Sequence, residues 1–123
     1  MTPRSAVHEA GHLVAALYYG LAVTEAMVEP NPPHISCTHG DAWQDAVVEE
    51  AAQAAEHRAA GAASDVELLR EAYTLSSDSP RLAAELLIAE RWPLVQEVVA
   101  AFEREPVLSA ETVERLRALG AAS

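Results

Sequence analysis

Apolar residues recur at helical spacing from Ser5 to Tyr19, with Val7, Gly11, Val14, Ala15 and Tyr18 on one face and Gly20 as a stop. The period then breaks. Val23 to Val28 and Ile35 to Thr38 favour extended backbone, and the proline-rich run from Pro30 to Pro33 separates them, so two short strands are expected. Asp41 is suited to cap a second helix through Val47, Val48 and Ala51 to about Ala60, ended by Gly61. Ser64, with Glu67 three residues on, matches a capping box opening a third helix to about Leu75. Pro80 suits the first turn of a fourth, running to about Glu103 and bent near Pro93, and Ser109 starts a short last helix ending at Gly120. The pattern predicts a mainly α, compact helical domain with a small two-stranded β element.

At 123 residues the chain supports one core, so residues 1–123 are read as a single domain. Half of the residues are apolar but few are aromatic, which favours helices packed through small side chains. Trp43, Trp92 and Phe102 fall at apolar helical positions and read as core. A net charge of -11, with eight Arg and no Lys, argues against nucleic acid and anionic membrane surfaces as partners. Leu13 to Val23 is too short to span a bilayer, and a polar stretch stands where a signal peptide needs its apolar region, so neither membrane insertion nor a leader is expected. The lone Cys37 excludes an internal disulfide and makes the cytoplasm the expected compartment.

The chemistry concentrates in His8-Glu9-Ala10-Gly11-His12. Two His four apart on a helix project from one face, so both imidazoles can reach one Zn2+ ion. Glu9 lies about 100° round the helix from His8, placed to accept a proton from a water the metal activates and to return it to a leaving amine. Gly11 costs roughly 1 kcal/mol of helix propensity against Ala, which points to a backbone or substrate coming close. A hydrolytic zinc site needs a third protein ligand, and Asp65 is the first candidate: Ser64 and Glu67 complete a capping box, leaving its carboxylate free. Glu56 is the second, with a hydrogen bond to a ligand His as its other role. His34, Cys37 and His39 share the extended segment and offer a second metal site, while His57 has no evident role in the chemistry.

With these elements in view, the chain resembles the peptidase domain of FtsH-type zinc metallopeptidases. Ala6-Val7-His8-Glu9-Ala10-Gly11-His12 is similar to the family's A-x-HEAGH, Ala54-Ala55-Glu56 to its AAE stretch, and Gly61-Ala62-Ala63-Ser64-Asp65 to its GA-x-(N/S)-D element. The resemblance implies that His8, His12 and Asp65 hold zinc and that Glu9 is the catalytic acid and base. It also implies that a short sheet offers an edge strand to extended substrate. The chain departs from the family in having no ATPase module, since without Lys it cannot contain a Walker A motif. The implied activity is an ATP-independent zinc metalloendopeptidase acting on flexible or unfolded polypeptides. The alternative is a zinc-stabilised interaction domain that has lost proteolysis and serves a protein partner.

Overall fold

The computed structural model describes residues 4–29 and 32–122, so Pro30 and Asn31 of the proline-rich run lie outside the described residues. Among the described residues, six helices, α1 (Arg4–Tyr18), α2 (Ala42–Ala59), α3 (Val66–Leu75), α4 (Pro80–Glu90), α5 (Trp92–Arg104) and α6 (Ala110–Ala122), accompany strands β1 (Val23–Met27) and β2 (His34–Cys37). The mainly helical expectation with a two-stranded β element is met.

The first helix is the centre of the fold. It packs against α2, α4, α5, α6 and both strands, and Ala6, Ala10, Leu13, Val14, Ala15, Ala16 and Leu17 are all buried. This differs from the single apolar face read from Val7 to Tyr18: Val7 is only partly covered and Tyr18 is 51% exposed. A helix apolar nearly all round is one surrounded by neighbours, and its small residues let those neighbours come close. Gly20 ends the helix as expected, with a φ of 71° that few other residues adopt.

Local signals account for most of the other boundaries. Asp41 caps α2 by accepting from the Gln44 N–H, and the Gln44 side chain accepts the Asp41 N–H in return. Beyond α2, Gly61 takes a φ of 76°. The expected fourth helix is instead two, α4 and α5, broken at Arg91. Pro93 explains the break: it has no N–H to give the preceding turn and its ring clashes with the carbonyl four residues back, so a new helix starts where proline is tolerated. The last helix runs two residues past Gly120 to Ala122. Phe102 is buried in the core, while Trp43 and Trp92 pack against it half-covered.

The strands pair antiparallel, with Val23 opposite Cys37 and Met27 opposite His34, and the register shifts between Val23 and Glu25. The far side of β1 is met by residues 106–108: Val28 N–H donates to the Pro106 carbonyl and Leu108 N–H to the Ala26 carbonyl. The sheet ends at β2 on its other side. Among the described residues, no helix is long and apolar enough to cross a membrane.

Candidate metal centre

His8, Glu9 and His12 sit on α1 where it runs antiparallel to α2, so the His pair meets α2 at two points a few turns apart. His8 Nδ1 lies 2.8 Å from Glu56 Oε1, and His12 Nδ1 lies 2.7 Å from the Val48 carbonyl oxygen. A carbonyl oxygen can only accept, and so can an ionised carboxylate, so each Nδ1 carries the proton and donates it. The proton-free nitrogen of both rings is then Nε2, the atom a metal would use. The ring centroids are 4.9 Å apart with the planes near perpendicular. Both imidazoles are thus held in one tautomer and orientation by groups on a different helix.

Gly11 makes this approach possible. A β-carbon there would stand 2.9 Å from both the Ala51 carbonyl carbon and the Ala52 Cα, and nearer still to the Ala51 oxygen. The close neighbour anticipated for this glycine is therefore the α2 backbone. Any other residue would push α2 away and draw Val48 and Glu56 off the two imidazoles.

Glu9 is 6% exposed. Burial pushes its carboxyl above the usual range, and the imidazoles of His12, His8 and His34 pull it part of the way back. A carboxylate whose proton affinity is raised by desolvation suits proton transfer near neutral pH. His34 on β2 adds positive charge: its Nδ1 donates to the Pro32 carbonyl at 2.8 Å and its Nε2 to the Glu25 carboxylate. Acceptors at both ring nitrogens favour the doubly protonated ring and raise its pKa, the Pro32 carbonyl contributing most.

Asp65 sits differently from the arrangement read in the sequence. Asp65 itself, not Ser64, is the N-cap of α3, with its Oδ1 accepting from Leu68 N–H at 3.3 Å. Because α3 starts at Val66, Glu67 falls one place too early to close a capping box, and the Ser64 carbonyl is bonded by the Arg58 guanidinium. Among the described residues, no three His, Cys, Asp or Glu side chains are grouped so as to hold a metal ion. The fold brings His8, His12, Glu9 and Glu56 together, and does not group Asp65 with them. Two imidazole donors with their anchors are in place; a third donor is not grouped with them among the described residues.

Nor are His34, Cys37 and His39 grouped so as to hold a metal ion among the described residues. His34 faces Glu25, His39 Nδ1 lies 3.1 Å from Asp45 Oδ2, and Cys37 is half-buried with its thiol pushed up in pKa chiefly by burial. His57 reaches the buried Glu85 at 3.3 Å, tying α2 to α4.

Beside His12 a cavity of about 410 Å³ is lined by Ile35, Ser36, Cys37 and Thr38 of the β2 region and by Val48 and Glu49 of α2. Among the described residues, the side of β2 away from β1 makes no backbone hydrogen bond. No protein-family model, curated protein or solved structure matches the chain.

Proposed function

We propose that this chain is a zinc-dependent endopeptidase that cleaves flexible or unfolded polypeptides without ATP. The observation that carries the reading is the pair of imidazoles one helical turn apart, each anchored through Nδ1 by a group of α2 and each left with Nε2 free. Anchoring of this kind is what metal-ligating His residues require, and an ordinary surface His pair has no need of it.

His8 and His12 would hold the ion; Asp65, which caps α3 and is not grouped with them, keeps one carboxylate oxygen outside the cap and would have to be brought to the ion to serve as the third donor. Bound there, zinc would acidify a water and polarise the scissile carbonyl. Glu9, buried next to the pair, takes the proton of the attacking water on its carboxylate and passes it to the departing amine nitrogen. Its raised proton affinity suits both halves of that transfer. The bare edge of β2 offers backbone donors and acceptors to an extended substrate next to His12, reading main chain instead of side chains.

The absence of a third grouped donor among the described residues favours a second reading, a zinc-stabilised interaction domain without proteolysis. Metal analysis with a peptidase assay separates the two. The peptidase reading expects about one zinc per chain, lost in His8→Ala and His12→Ala, and hydrolysis of an unfolded protein that Glu9→Gln abolishes while keeping the zinc. Stoichiometric zinc without hydrolysis of any unfolded substrate would leave the interaction domain standing, and undiminished zinc in both His variants would end both readings.

A further inference from the structure

A second cavity opens on the far side of Glu56, the anchor of His8. It is a trough of about 890 Å³ between α2 and α5, with Val7 of α1 among its lining residues. Both flanking helices pack on α1. Positions 53, 56, 57 and 60 of α2 and positions 92, 95, 96, 99, 100 and 103 of α5 line it, each set a continuous stripe at helical spacing. The α5 stripe extends over about 16 Å, roughly three turns. Its walls are mostly small or apolar, through Ala60, Trp92, Val95, Val99 and Ala100. Two helices resting on a third, with small residues facing the gap, present the seat that another helix fills by placing its side chains between theirs.

Charge selects the occupant. Glu103 is the exposed anionic group of the trough, Glu56 being engaged by His8, and no Arg is among its described lining residues. A second copy of this chain would bring another net charge of -11 and no Lys. We infer that the α2–α5 trough docks an amphipathic helix of a partner protein, its apolar face against Trp92 and Val99 and its flanks rich in Lys or Arg. This inference does not depend on zinc or on proteolysis.

Trp92 is a built-in reporter once Trp43, the other tryptophan, is replaced by Phe. The probes are a peptide of about four turns with Leu and Lys at helical period, and its counterpart with Glu for Lys. The Leu/Lys peptide should shift Trp92 emission saturably and the Leu/Glu peptide should not. Val99→Arg and Glu103→Arg should each weaken binding by about tenfold or more, whereas Glu111→Arg, with the same charge change on exposed α6, should leave it nearly unchanged. If circular dichroism shows that Val99→Arg does not fold, Gln96→Arg replaces it, since Gln96 is exposed and lines the same trough. No saturable shift up to about 1 mM peptide, or equal loss in Glu103→Arg and Glu111→Arg, would overturn the inference. So would a dimer of the free chain in sedimentation that Val99→Arg or Gln96→Arg dissolves.

Discussion

Replacing Gly11 by Ala tests the close backbone approach of α1 and α2. In an open helix the change would stabilise by about 1 kcal/mol, because Ala is the better helix former. Here the new methyl would lie 2.9 Å from the Ala51 carbonyl carbon and the Ala52 Cα, whereas 3.0 Å is a distance real β-carbons essentially never go below. The obstruction is helix backbone, which cannot rotate aside as a side-chain end can, so α2 must move outward. Overpacking of this kind costs about 1–3 kcal/mol and more where the neighbours are rigid. The upper part of that range outweighs the gain in propensity and leaves a net loss of about 2 kcal/mol, or roughly 5–10 °C in melting temperature for a domain of this size. Gly120→Ala is the internal control: its methyl would meet only Leu94 Cδ2, at 3.0 Å, the mobile end of a side chain. That variant should melt within about 2 °C of wild type. Thermal denaturation by circular dichroism, with chelator present, reads both. Because the displaced helix carries Val48 and Glu56, Gly11→Ala should also weaken zinc binding in a parallel titration. A Gly11→Ala protein melting at or above the wild-type temperature would refute the close approach of α1 and α2.

Glu9→Gln should raise the melting temperature of chelated protein at neutral pH. A carboxyl whose pKa is higher folded than unfolded loses stability as pH climbs from its ordinary value of 4.5 through the folded one, so the advantage of Gln should vanish below that range; a gap independent of pH would contradict the assignment. Glu56→Gln should lower zinc affinity about 10–100-fold through loss of the charged acceptor on His8, measured by competition with a chelating dye, and unchanged affinity would deny Glu56 that role. Asp65→Ala should destabilise chelated protein by about 1 kcal/mol through loss of the α3 cap, while Asp65→Asn keeps the cap. If Asp65→Asn also binds zinc at full affinity, Asp65 is no ligand.

Much of this architecture was legible in the chain because its punctuation is chemical. Gly20 and Gly61 stand where the backbone must turn left-handed, and Asp41 stands where α2 needs its cap. The reading slipped where two residues compete for one role. Ser64 and Asp65 are both good caps, and the choice between them, which decides whether a carboxylate is free, depends on where α3 begins by one residue. Periodicity also misjudged the exposure of α1, since a helix enclosed by four others and a sheet has no single buried face to announce. Of the two anchors on the His pair, Glu56 was visible as a carboxylate in a second helix. The other, the Val48 carbonyl, is a backbone atom, and no side chain marks which peptide group will face His12.

The bare edge of β2 has a consequence for how the protein behaves in company. An edge that accepts any extended backbone does not distinguish a substrate from an unfolded copy of the same chain, so the feature that would recruit polypeptide is also a route to self-association. Two properties confine that hazard. The strand is only four residues long, and Pro32 and Pro33 immediately before it have no N–H with which to extend a ladder. A guest strand added to β2 would have little length over which to propagate its pairing, which is the difference between a short-lived encounter and the start of a fibre.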